Sequence, residues 1–182
     1  MATILDKIID QKKKEVLLLR EGNHSLLDTS IPRRSFIQKL NTANEISIIS
    51  EFKRASPSKG IINNTIEPSY QAGLYEEYGA SAISVLTDQT FFKGSFSDLQ
   101  AVRGKVNLPI LCKDFIIDEL QINLAASNGA DIILLIVAAL SEERLGELFQ
   151  YAKGLGLEVL VEVHNQQELE KALKTGAKLI GV

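Results

Sequence analysis

Apolar positions along the chain follow two rhythms. From residue 45 onward, short runs rich in β-branched residues recur: EISIISEF, SAISVLT, PILCKDF, DIILLIV, EVLVEV and KLIGV. They predict six strands. Between them, PSYQAGLYEEYG, FSDLQAVRGKV, DELQINLAASNG, SEERLGELFQYAKGLG and NQQELEKALKTG read as helices, several ending in a glycine suited to a helix C-terminus. Ahead of this alternation, Ile4, Leu5, Ile8 and Ile9 recur with helical spacing, which predicts an amphipathic N-terminal helix whose Lys12 to Lys14 form a solvated face.

Gly-Ala recurs between a helix end and a strand in GASAISVL at 79, GADIILLI at 129 and GAKLIGV at 176. Near-continuous apolar strands joined by crossover helices imply a parallel sheet covered on both faces, either doubly wound or a (β/α)8 barrel. No G-x-G-x-x-G follows the first strand, which removes the main support for a dinucleotide-binding sheet and favours the barrel. The expected organisation is a helical extension over residues 1–44 and a partial barrel over 45–182.

Composition narrows the function classes. The chain has 182 residues, 45% of them apolar, enough for one substantial core. Its 20 basic and 23 acidic residues are mixed along the sequence for a net charge of -3, which argues against a nucleic-acid footprint or a polybasic membrane patch and points to a small-molecule partner. One cysteine, Cys112, makes no intramolecular disulfide, and His24 and His164 lack zinc-ligand spacing. With no signal-peptide core and no long apolar run, a cytoplasmic protein without a metal is expected.

In a barrel the chemistry sits where strands end, and strand side chains alternate between faces. Glu51 and Lys53 share a face, Lys113 is in phase with Leu111 and Phe115, and Glu162 is in phase with Leu160 and His164. If those faces point inward, two lysines and two glutamates converge. A lone charge at a strand end is commonly a solvated terminus. Glu162 inside the apolar VLVEV run is harder to read that way, and paired amines and carboxylates can serve as acid and base.

The strings SEFKRASPSKG, CKDFIID..QI and LVEVHN..ELEKAL..GAKLIGV resemble the strand motifs of the indole-3-glycerol phosphate synthases, in order and spacing. The resemblance covers nearly the whole chain, including PRRSF at 32–36, which resembles the family's extension over the barrel mouth. It implies a (β/α)8 barrel that closes the indole ring of 1-(o-carboxyphenylamino)-1-deoxyribulose 5-phosphate with loss of carbon dioxide and water, in tryptophan biosynthesis, using no cofactor. It further implies Lys113 as general acid in ring closure, Glu162 as general base or proton relay in dehydration, Lys53 as a second cation on the substrate and a candidate acid for the dehydration, and Glu51 as the group that orients the substrate and the lysines. Ser56 matches a substrate contact, and Phe92 and Phe115 are expected as walls for the anthranilate ring. His164 and Cys112 receive no chemistry.

The last residue, Val182, falls in the sixth predicted strand. Eight-stranded barrels often hold phosphate with the loops after strands seven and eight, so a chain ending here is expected to show impaired activity and to self-associate through open sheet edges. Two other readings are a relative of phosphoribosylanthranilate isomerase, which would use a Cys/Asp pair, and a non-catalytic fragment acting in assembly. The isomerase reading needs a cysteine on the first strand, which has none.

Overall fold

The computed structural model describes residues 3–22 and 30–182; His24 lies outside them. The amphipathic pattern at the N-terminus folds as α1 (Ile4–Glu21), started by a capping box in which Thr3 and Asp6 satisfy each other's backbone N–H. A short α2 (Phe36–Thr42) follows. Six strands then alternate with helices: β1 (Ile49–Phe52), α3 (Pro68–Glu77), β2 (Ala82–Leu86), α4 (Phe96–Lys105), β3 (Ile110–Lys113), α5 (Glu119–Ser127), β4 (Ile132–Ile136), α6 (Glu142–Gly154), β5 (Glu158–Glu162), α7 (Gln166–Lys174) and β6 (Leu179–Gly181).

All six strands are parallel and lie in sequence order in one curled sheet. This is the partial (β/α)8 barrel expected from the pattern. Among the described residues, β1 and β6 each pair on one side only. β1 is shorter than its apolar run: Ile46 and Ile48 stay exposed, and regular pairing begins at Ile49 opposite Ala82.

The Gly-Ala repeat has a backbone cause. Gly79, Gly129 and Gly176 sit just past α3, α5 and α7 with φ of +89°, +94° and +79°, a region that side chains with a Cβ avoid. Each reverses the chain from a helix end into the next strand.

Strand alternation divides the core into two layers. Ala82, Leu111, Ile132, Leu134, Ile136 and Leu179 face the barrel interior with Phe36, while Ile83, Val85, Ile110, Cys112, Ile133, Leu135, Val159 and Val161 face the helices. A one-residue slip of any strand would exchange the two sets, so both apolar layers fix the register. That register places Glu51, Lys113 and Glu162 on the interior parity, at the strands' C-terminal ends.

The segment 32–36 lies at the opposite end from the one its resemblance suggests. Arg33 donates to the carbonyls of Ala126 and Ala130, Arg34 to that of Leu108, and the N–H groups of Phe36 and Ile37 donate to the Glu158 carboxylate. These acceptors lie in the last turn of α5, stand just before β3 and β4, or open β5. Residues 32–37 therefore cap the strand starts, and Phe36 packs into the interior layer from that end. Over the barrel mouth lies α1.

Candidate active site

β1 delivers Glu51 and, one residue past its end, Lys53; the Nζ of Lys53 lies 2.7 Å from Oε1 of Glu51. Both side chains remain about one-third exposed, so the pair meets solvent at the mouth and is not sealed in the core. The Tyr75 hydroxyl donates to the Glu51 carbonyl at 3.1 Å, fixing the backbone from the helix layer.

β3 and β5 deliver the second pair. Lys113 Nζ lies 3.6 Å from Glu162 Oε2, although β4 runs between their strands. Flat neighbouring strands stand about 4.8 Å apart, so alternate strands stand about 10 Å apart. Two long side chains can meet over β4 because both point to the concave side. A lysine beside a glutamate can donate and accept a proton without either charge being stranded.

Beyond β1, Ala55–Ser56 pairs antiparallel with Gly60–Ile61, forming a small hairpin whose conformation the sequence did not disclose. Its base is held by Arg54, which forms a two-pronged ion pair with Asp98 at the start of α4 and stacks its guanidinium 5.0 Å from the Phe52 ring centroid. Ser56 Oγ accepts from the Lys59 N–H at 3.2 Å. The hairpin thereby brings Ser56 and Lys59 to a cavity of about 470 Å³ shared with Lys53, Phe92 and Phe115.

The two phenylalanines have ring centroids 5.8 Å apart, tilted by 34°. They form an apolar wall beside a cationic group, suited to an aromatic ring carrying a carboxylate. Ile4, Leu5 and Ile8 of α1 complete the lining. Thus Lys53, Ser56, Phe92 and Phe115 share one cavity, whereas Glu51, Lys113 and Glu162 stand at the strand ends and do not line it.

Two further groups touch this arrangement. His164 Nε2 lies 3.4 Å from Glu162 Oε1, and its Nδ1 lies 3.5 Å from Glu168 Oε2, so the histidine borders the Lys113–Glu162 pair. The second group corrects the reading of Lys12 as solvated. Its side chain is 3% exposed, and its Nζ lies 2.8 Å from both Asp88 and Asp114 and 2.9 Å from Glu15. Ile8, Lys12 and Val16 form one buried stripe at intervals of four, a spacing visible in the sequence. Burial draws the Lys12 ammonium pKa down, but Asp114 and Asp88 outweigh that and hold its proton more tightly than in an ordinary lysine.

Cys112 faces the outer layer, and burial, assisted by the Asp114 charge, pushes its thiol up to about 12. It is a neutral core group. The chain's single cysteine is thus on the wrong strand and the wrong face for the Cys/Asp alternative. Among the described residues, no helix is long and apolar enough to cross a membrane, and no group of three or more His, Cys, Asp or Glu residues could hold a metal ion.

Comparison with known proteins identifies the family. A family model described as indole-3-glycerol phosphate synthase matches residues 5–182. The chain is 53% identical over 182 residues to the indole-3-glycerol phosphate synthase of Bacillus cereus strain G9842, covering 100% of this chain and 70% of that protein. It is 54% identical over 180 residues to the one from Oceanobacillus iheyensis, covering 99% and 69%. Among solved structures it resembles 3-keto-L-gulonate-6-phosphate decarboxylase from Vibrio cholerae, with TM-score 0.58 and 14% identity over 75% of this chain and 62% of that one. A mandelate oxidase matches with TM-score 0.51 and 22% identity, over 63% and 44%. These structures support the barrel fold alone.

Proposed function

The chain belongs to the indole-3-glycerol phosphate synthase family, and from that premise we propose that it acts as a carboxy-lyase on 1-(o-carboxyphenylamino)-1-deoxyribulose 5-phosphate in tryptophan biosynthesis, a cytoplasmic pathway step. The observation that carries this reading is the Lys113–Glu162 contact reaching across β4 on the concave face, at the end of the barrel where Lys53 and Glu51 form their own pair.

The chemistry follows from what each group can do. The anthranilate ring lies against Phe92 and Phe115, with its carboxylate towards the Ser56 hairpin. Lys113 gives a proton to the ribulose carbonyl oxygen as the ring carbon bearing the carboxylate attacks that carbonyl carbon. Carbon dioxide then leaves with its bonding electrons returned to the ring system. Loss of the new hydroxyl as water, with Lys53 as its acid, and removal of a ring proton by Glu162 restore aromaticity. Glu51 holds Lys53 in place at 2.7 Å. Positioned acid and base groups each contribute about 10²–10⁴-fold to such steps.

The test is formation of indole-3-glycerol phosphate by the purified chain, followed by indole fluorescence, beside single Lys113→Met and Glu162→Gln variants. Product from the parent chain, reduced roughly 10²-fold or more in each variant, is expected. No product from the folded parent, or equal rates in all three, would reject the reading.

A further inference from the structure

We propose that Lys12 is a positioning residue for this reaction, fastening α1 to the two loops that carry the ring-binding walls, one of which begins directly after the catalytic lysine; the inference rests on the function proposed above. Its anchor points are specific. Asp88 follows β2, and its Oδ1 accepts the N–H groups of Phe91 and Phe92 at 2.6 and 3.0 Å. Asp114 directly follows Lys113, and its Oδ1 accepts the Phe115 N–H at 2.7 Å while Oδ2 accepts the Thr87 hydroxyl at 2.8 Å. The remaining valence of both carboxylates turns to Lys12. The contact with Asp88 Oδ2 lacks good hydrogen-bond direction and acts as an ion pair, at 2.8 Å.

The two loops thus hold Phe92 and Phe115 through their own backbones, and one ammonium joins the loops to each other. The same helix supplies Ile4, Leu5 and Ile8 to the cavity one and two turns before Lys12. The loop after β2 is tightly determined: Lys93 has φ of +56°, and a Cβ at Gly94 would lie 2.0 Å from the Leu86 carbonyl oxygen. A loop so constrained transmits a shift at Asp88 to Phe92. Charge makes the device sensitive, because Asp88 is fully buried and Asp114 nearly so, and removing their cation leaves two carboxylates facing one another in the interior. Small displacements at such a site are costly, since a shift of about 1 Å can lower a rate roughly 10²-fold.

The experiment compares the parent chain with Lys12→Met and with the triple variant Lys12→Met, Asp88→Asn, Asp114→Asn, which removes the stranded charges together. Steady-state kinetics with the ribulose phosphate substrate, thermal melts and hydrogen exchange of residues 88–94 and 113–118 are read on each. Lys12→Met should raise KM and lower kcat, together reducing kcat/KM roughly 10²-fold, and speed exchange in both segments. The triple variant should recover thermal stability without recovering kcat/KM. Kinetics within twofold of the parent in Lys12→Met, or kinetics restored alongside stability in the triple variant, would overturn the proposal and leave Lys12 merely structural. Should Lys12→Met fail to fold, the triple variant decides on the same criteria. A folded parent without turnover refutes the proposed function instead; unchanged exchange in both segments then overturns the tether separately, and faster exchange supports it.

Discussion

Replacing Asp131 should destabilise the barrel by several kcal/mol, and asparagine should be no milder than alanine. Asp131 is fully buried at the strand-start end, immediately before β4. Its Oδ1 accepts the Arg34 N–H at 2.7 Å and Arg103 Nη1 at 2.9 Å; its Oδ2 accepts the Ile110 N–H at 2.9 Å and Arg103 Nη1 at 2.7 Å. Both oxygens therefore face donors. In Asp131→Asn, either orientation of the amide turns its NH₂ towards a backbone N–H, at Arg34 or at Ile110. The charge opposite Arg103, itself mostly buried, is lost as well. Breaking a buried pair by removing one partner costs about 3–5 kcal/mol, against a total stability of about 5–15 kcal/mol. For a chain of this size that corresponds to a fall in Tm of about 6–20 °C. Urea unfolding followed by circular dichroism measures the difference. An asparagine variant within about 1 kcal/mol of the parent would refute the two-sided acceptor reasoning.

Three further outcomes follow from named contacts. Because burial pushes its thiol up to about 12, Cys112 should resist iodoacetamide at mildly alkaline pH in the folded chain and react promptly in denaturant; prompt alkylation of the folded chain would contradict the burial. Arg144 holds the Glu119 carboxyl below the usual range, chiefly through their hydrogen bonds, so their pairing stabilises the fold above the unfolded-state pKa and is lost as pH falls through the lower folded value. Both side chains are about one-third exposed, so Glu119→Gln should cost at most about 1 kcal/mol near neutrality, and the two chains should converge in acid. Gly94→Ala should lower Tm sharply, since the added carbon meets the Leu86 carbonyl, and a melt unchanged from the parent would contradict that packing.

Much of the fold was visible in the primary structure because two periodicities were undisturbed. The strands needed apolar residues on both faces, which gave the runs in β2 and β4, and the glycines at 79, 129 and 176 marked the turns between helix and strand. Alternation alone then put Glu51, Lys113 and Glu162 on one side. The contacts that order the site were less legible, because they join segments far apart in the chain. Lys12 stands in a run of three lysines, and the carboxylates that bury it arrive only with the loops after β2 and β3. Arg33 and Arg34 name cations but not acceptors; among their partners are the backbone carbonyls of Ala126, Ala130 and Leu108, a group that every residue possesses. The side chains of 32–36 could therefore not reveal that they close the strand-start end.

The division of labour between Lys113 and Glu162 is open to direct observation. Rapid-quench sampling of the reaction should show unconsumed substrate and no ring-closed species in Lys113→Met, because the carbonyl lacks its acid. In Glu162→Gln it should show a decarboxylated, ring-closed intermediate that still carries the hydroxyl, because the later proton removal is blocked. Accumulation of that intermediate in Lys113→Met, or its absence in a slowed Glu162→Gln chain, would contradict the assignment of acid to β3 and base to β5.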